Sequence, residues 1–529
     1  MAKRDARSEY SITFNPLRRS VLRGGAVAGV LSLAPSFAFA QSPLALYRLP
    51  RHALVIGNSR YTSSPLDNPG NDAKAVAAEL KALDFDVQLL LDADRQTILN
   101  AMEEYANQLA ARKAVGLFYF AGHGAQLAWR NYLIPVDAVI KSLDDVPTRA
   151  VELNTLLLGL GKAGNPMNVI ILDACRDNPF GAALPTEHKG LSQFDAPPSS
   201  FLAYATSPGN VANDGNGSNG LYTEHLVREL GIREAKIEDV FKRVRLAVRR
   251  SSNGEQIPWE STSLEEDFYF HPPKDIAKPP DDVATRLFEE QLAIWEQIKS
   301  STTPGQLEDF LRRYPSGLFS EVAQLRLDQV LARAGERRIE VLSDDQNPFS
   351  KGTLRIDTRV KVGDRYSYRE VEMATGRELL KYTLVVSDIS DTQVIYGNGT
   401  FVTDLIGNWI KLFGRVITGA QYFVPDYSMG KRWTSRHRVV NANGDQYDTV
   451  YDFKVVARER KTVPAGTFDA FRIDGSGWTR GPLGSIGLQS RYWVTPDVRR
   501  SIEAHFWQSH SRGSGLANKR VELISFAQK

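Results

Sequence analysis

The chain is poor in sulfur: its 529 residues include one cysteine, Cys175, and five methionines. A single cysteine excludes an intrachain disulfide, and it excludes zinc sites built from several cysteines. Excess charge is also scarce. Sixty-five Lys and Arg face 62 Asp and Glu, a net charge of +3, so no electrostatic case for nucleic-acid binding arises. Long apolar runs are missing too. No stretch approaches the roughly 18 residues that a spanning helix needs, so no stable membrane span is expected. What remains is ordinary globular material, 42% hydrophobic and 24% charged, enough for two to four domains.

The first forty residues read as a processing segment. Lys3, Arg4, Arg7, Arg18 and Arg19 precede a modest apolar run from Gly24 to Ala34, and Ala38-Phe39-Ala40 forms a cleavage site before Gln41. This layout is that of a secretory signal. The pair Arg18-Arg19, ahead of a Gly-rich and mildly apolar stretch, is similar to a twin-arginine signal. Export, and a periplasmic location in a bacterium, are therefore expected.

From 51 to 270 the pattern alternates strand and helix. His52 to Asn58, Phe85 to Leu91, Ala114 to Ala121 and Asn168 to Ala174 are short apolar runs, with Phe201 to Thr206 a candidate fifth. Asp72 to Leu83 and Arg95 to Leu109 have helical spacing, as do Ile237, Val240, Phe241, Val244 and Val248. Strands that are apolar throughout need cover on both faces, which argues for an α/β fold with a mainly parallel sheet. A Pro-rich linker follows at 271–283, then a short helical segment at 284–333 broken at Pro304 and Pro315. From 350 to 529 Gly, Asn and Asp turns separate alternating segments, the mark of an all-β domain. The stretch Val463 to Phe471 resembles a turn-and-strand of small periplasmic β-barrel or curved-sheet domains. Trp409, Trp433, Trp478, Trp493 and Trp507 are expected in its core. The basic helix face Lys242, Arg243, Arg245, Arg249 and Arg250 is expected to be solvated.

Two motifs end apolar strands: Phe118-Tyr119-Phe120-Ala121-Gly122-His123-Gly124 and Ile170-Ile171-Leu172-Asp173-Ala174-Cys175-Arg176-Asp177. Residues beyond the carboxyl ends of parallel strands face one crevice, so His123 and Cys175 are expected at the same edge. An isolated cysteine is more often buried and inert. One beside an imidazole can lose its proton and attack a carbonyl, and the imidazolium can then protonate a leaving amine. The glycines are expected to admit the substrate backbone, with the N–H groups of Gly124 and Cys175 forming an oxyanion hole.

Together these motifs resemble the caspase and metacaspase family of cysteine peptidases. The family signature carries its cysteine after Q-A, with the histidine about 50 residues upstream; here the motif is D-A-C-R-D and the separation is 175 − 123 = 52. Leu54 to Asn58, Asn71-Asp72-Ala73, Asn131 to Asp137 and Phe201 to Thr206 share the resemblance, which covers about Arg51 to Phe270. It implies a peptidase with Cys175 as nucleophile and His123 as base. Caspases hold Gln at the place of Asp173; metacaspases hold Asp there and a second Asp at the place of Asp72. The resemblance therefore implies that Asp72 and Asp173 line an S1 pocket for Arg or Lys, in protein or peptide substrates with a basic P1 residue. Alternatively, Asp72 is a helix N-cap and Asp173 a strand-end charge oriented by Arg176. Some relatives depend on calcium, but no convincing set of oxygen ligands stands out, so no cofactor or metal is assigned.

The segment from Gly181 to Ser200 is expected to be an exposed loop, where nicks concentrate. Relatives are cut there, and its Lys189-Gly190 bond is a candidate for self-cleavage. The competing function is a non-enzymatic caspase-like scaffold whose β domain binds a cell-envelope partner. The oligomeric state is left open.

Overall fold

A computed structural model describes residues 46–175, 191–192, 194–207, 217–274, 280–336, 353–355, 357–482, 484–510 and 515–529. The expected signal at 1–40 and Lys189 lie outside them.

The amino-terminal part alternates as β1 (Arg51–Gly57), α1 (Pro69–Ala82), β2 (Phe85–Leu91), α2 (Arg95–Arg112), β3 (Val115–Leu127), β4 (Arg130–Leu133), α3 (Val146–Arg149), β5 (Val151–Glu152), α4 (Leu153–Ala163), β6 (Met167–Cys175), β7 (Ser200–Tyr204), α5 (Leu221–Leu230), α6 (Ile237–Ser251) and β8 (Trp259–Thr262). The main sheet runs β2-β1-β3-β6-β7-β8. Its first five strands are parallel, and β8 closes the row antiparallel to β7. The inner strands β1, β3, β6 and β7 are buried from both sides, as their apolar composition requires, while the edge strand β2 is only half covered. Val55, Tyr119 and Ile171 face a cluster with α1, α5 and α6. Leu54, Phe118, Phe120 and Leu172 face a second with α2 and α4. Local chemistry sets the helix ends. Asp94 caps α2 by accepting the Thr97 N–H at 2.7 Å, and Pro69 opens α1 at a position where a missing N–H costs nothing.

Three helices follow: α7 (Asp281–Ile298), α8 (Pro304–Arg313) and α9 (Ser320–Arg333). They pack around Trp295, Phe310, Phe319 and Leu327. The basic face of α6 departs from expectation in part: Arg250 is exposed, but Lys242, Arg243, Arg245 and Arg249 are largely covered and paired. Arg249, 13% exposed, pairs with Asp328 at 2.5 Å and Glu336 at 2.8 Å, and Lys242 lies 3.5 Å from Glu321. Arg243 pairs with Glu229 and Arg245 with Glu260. Charges that look like a solvent face in one helix form an ionic seam to neighbouring elements, α9 among them.

Among the described residues, twelve strands between Arg365–Glu372 and Gly515–Ala527 form a closed antiparallel barrel, the first pairing with the last. Closure removes the free edges that an open sheet would present. The Val463 to Phe471 stretch is the hairpin joining the strands Gln446–Val463 and Gly466–Gly481. Trp493 is buried in the barrel, but Trp478 is 59% exposed and is no part of the core. Beside the barrel, Thr353–Arg355 pairs with Asp426–Ser428, and this small sheet meets β8. The Ser428 hydroxyl donates to the Thr262 carbonyl at 2.8 Å, and Lys454 lies 3.0 Å from Glu265.

The segment before β7 also differs from expectation in its second half. Leu191, Ser192 and Phe194 are buried rather than exposed. Asn131 clamps the backbone of Ser192, accepting its N–H at 2.7 Å and donating to its carbonyl at 2.9 Å.

Candidate active site

The strand β3 does not stop at Ala121. It runs through Gly122, His123 and Gly124 and then pairs with β4. Likewise β6 extends to Cys175. His123 and Cys175 therefore lie within strands rather than past their ends, and they are register partners on the last rung shared by β3 and β6. Adjacent strands are about 4.8 Å apart, so the backbone brings the two positions side by side. The side chain of Cys175 falls outside the described set.

His123 is buried, and its Nε2 lies 2.7 Å from the Ser64 carbonyl oxygen. A carbonyl can only accept, so Nε2 carries the proton and Nδ1 is the basic nitrogen. Ser64 adopts a left-handed conformation, φ 56°, sparsely populated by residues other than glycine. The hydroxyl of Tyr61 completes the support. It accepts the His123 N–H at 2.9 Å and donates to the Ile134 carbonyl at 3.1 Å. Ile134 N–H in turn bonds the His123 carbonyl at 3.0 Å. The phenol thus stands where a direct His123–Ile134 ladder bond would be, and its ring centroid sits 4.4 Å from the imidazole.

This arrangement changes the reading of the flanking glycines. A Cβ on Gly122 (φ 151°) would come 2.5 Å from the Tyr61 hydroxyl, and one on Gly124 would meet Leu191 at 2.9 Å and Ala174 at 3.0 Å. The room they leave is filled by the protein's own side chains, not kept for a substrate. The Gly124 N–H is a separate matter. Because Ile134 bonds His123, the pairing of Gly124 with Leu133 is a wide one, and the N–H groups of such a pair point away from the partner strand.

Asp72 and Asp173 are both buried. Asp72 lies in the first turn of α1, whose N-cap is Asn68, so it is not itself the cap. Its Oδ1 accepts the Asn219 side-chain amide and the Gly220 N–H, each at 2.9 Å. Oδ2 of Asp173 accepts the Thr223 hydroxyl at 2.7 Å, and the Tyr119 hydroxyl lies 3.2 Å from that oxygen and 2.6 Å from Thr223 Oγ1. Burial pushes the Tyr119 phenol well above its ordinary range, and the charges of Asp173 and then Asp72 push it further. Both carboxylates therefore lie within electrostatic reach of one hydroxyl, at the amino ends of α1 and α5, where helix dipoles favour negative charge. Ser64, Tyr61, Asn219 and Thr223 were not singled out in the sequence.

Among the described residues, no group of three or more His, Cys, Asp or Glu is placed to hold a metal ion, and no helix is long and apolar enough to cross a membrane.

Residues 50–269 match the caspase domain family. A human protein, mucosa-associated lymphoid tissue lymphoma translocation protein 1, is 29% identical over 179 residues, which cover 33% of this chain and 21% of the human protein. Its mouse homolog matches to the same extent. The chain thus spans about a fifth of the length of these relatives.

Proposed function

Starting from a caspase domain at residues 50–269, a domain of the cysteine peptidase family, we propose that this chain is a cysteine endopeptidase that cuts after Arg or Lys. The observation that carries the reading is the shared rung of His123 and Cys175. Nδ1 of His123 takes the proton of the Cys175 thiol, and the thiolate attacks the scissile carbonyl carbon. The N–H groups of Gly124 and Cys175 receive the oxyanion. The imidazolium then gives its proton to the departing amine, leaving a thioester that water, deprotonated by His123, hydrolyses. The Ser64 carbonyl holds the Nε2 proton, so that Nδ1 is the nitrogen that takes up and gives back the proton at each step.

Asp72 and Asp173 hold the P1 cation. A neutral or acidic P1 leaves this buried charge unpaired, at a cost of about 2–5 kcal/mol, or roughly tens- to thousands-fold in rate. The protein is exported through Arg18-Arg19, and its mature form starts at Gln41. Replacing both arginines by lysine should strand the precursor in the cytoplasm; processed protein found outside would point to general secretion. The deciding experiment profiles the chain from Gln41 on a peptide library beside its Cys175→Ala form. Cleavage after Arg and Lys, lost in the variant, supports the reading. Preference for P1 Asp, or turnover by the variant, overturns it.

A further inference from the structure

The two carboxylates of the candidate P1 pocket are not simply placed; they are oriented. Thr223 and Tyr119 have one hydroxyl proton each. The shorter, charge-assisted contact takes the Thr223 proton to Asp173 Oδ2, at 2.7 Å. The Tyr119 proton then goes to Thr223 Oγ1, 2.6 Å away, rather than to the carboxylate at 3.2 Å. The result is a directed chain, Tyr119 to Thr223 to Asp173, in which each bond polarises the next. It is rooted in rigid parts. Tyr119 is fully buried at the centre of β3, and Thr223 is fully buried in the first turn of α5. Asp72 is held in the same manner, with two donors on Oδ1 from Asn219 and Gly220, directly before α5.

The two basic side chains respond differently to such fixing. A guanidinium is planar and binds a carboxylate through two parallel bonds, so it gains from a carboxylate locked in rotation. An ammonium is a point charge with freely turning donors and gains little. We propose that Thr223, supported by Tyr119, is a positioning residue that makes the pocket select P1 Arg over P1 Lys by fixing the plane of the Asp173 carboxylate. The proposal rests on the reading of Asp72 and Asp173 as the P1 pocket. It differs in what it predicts: charge selects a cation, orientation selects which cation.

The test uses peptides that differ only in P1: Arg, Lys, or citrulline, the uncharged analogue of Arg. The ratio of kcat/KM for Arg over Lys is measured for the wild-type chain, Thr223→Val, Thr223→Ser and Tyr119→Phe. Binding of the same peptides to the Cys175→Ala chain, with and without Thr223→Val, gives a readout independent of turnover. Thr223→Val should lower the Arg/Lys ratio about tenfold, the scale of one hydrogen bond to a charged group. It should leave citrulline a poor substrate, because both charges remain. Thr223→Ser should restore the ratio, and Tyr119→Phe should lower it less. An unchanged ratio in Thr223→Val, or equal losses for Arg and Lys, overturns the proposal and leaves the P1 pocket standing. A wild-type chain that accepts citrulline as well as Arg removes the pocket itself, and this proposal with it.

Discussion

At the scale of single residues, the imidazole depends on groups that carry no chemistry of their own. Tyr61→Phe keeps the ring against His123 but removes the hydroxyl that joins the His123 N–H to the Ile134 carbonyl. A buried N–H left unsatisfied costs about 1–3 kcal/mol. The variant should lose that much stability, and kcat should fall while KM stays near wild type; denaturant melts and steady-state kinetics check both. An unchanged kcat would mean that Tyr61 only holds the strand. His123→Ala and Cys175→Ala should each cost several orders of magnitude in peptidase activity without unfolding the protein, since the two act as one unit. Circular dichroism beside peptide assays checks this. The candidate pair His123 and Cys175 was legible in the sequence because an imidazole and a thiol that each follow an apolar run are uncommon residue types in a recognisable frame, although both prove to lie within their strands. Ser64 was not legible, because it contributes a main-chain carbonyl, and any residue type has one. Thr223 and Asn219 were hidden for another reason: they reach the carboxylates from a segment far along the chain, and only the fold brings them near.

Elements were readable where one period dominated. Apolar runs gave β1, β2, β3 and β6, and a 3.6-residue repeat gave α1, α2 and α6. The helix α4 has the same spacing in Leu153, Leu156, Leu160 and Ala163, but the neighbouring Leu157 and the exposed Leu158 obscure it. The short pair β4 and β5 has four residues and two, too few for any period to register. Burial of charge was the harder matter. The cations of α6 alternate with its apolar stripe as solvent-facing residues do, yet their partners lie on other elements: Glu229 on α5, Glu260 on β8, and, some eighty residues later, Glu321 and Asp328 on α9. Two substitutions separate the cases. Arg249→Leu leaves Asp328 and Glu336 without their cation and should cost about 3 kcal/mol. Arg250, 61% exposed and 3.5 Å from Glu308, should tolerate alanine within about 0.5 kcal/mol. Urea denaturation of both variants decides whether the seam or the solvated reading describes this face.

Over the whole molecule, pH should act on the barrel through His437. It is buried between Tyr422 and Ser435, and burial lowers its pKa from 6.5 to about 3. Below pH 6.5 the unfolded chain takes up a proton that the folded barrel refuses. Stability is therefore fully present above pH 6.5 and falls toward pH 3, by about 1.4 kcal/mol per unit for this group. The difference in melting between wild type and His437→Asn should shrink as pH drops from 7 to 4; a constant difference would show that His437 does not stay neutral. The contact between the barrel and β8 has a consequence of another kind. An outermost strand is normally an invitation: its carbonyls and N–H groups recruit whatever extended chain comes by. Here the Thr262 carbonyl is already engaged by Ser428, and Glu265 by Lys454. A newcomer that needs the Thr262 carbonyl must evict a resident before it can bond, so growth of the sheet past this end of β8 is an exchange reaction, not an addition. Glu265→Arg, which sets like charges against Lys454 and against Arg432, 3.7 Å from Glu265, should loosen the resident and raise the apparent mass in light scattering at high concentration, while the wild-type chain stays unchanged across the same range.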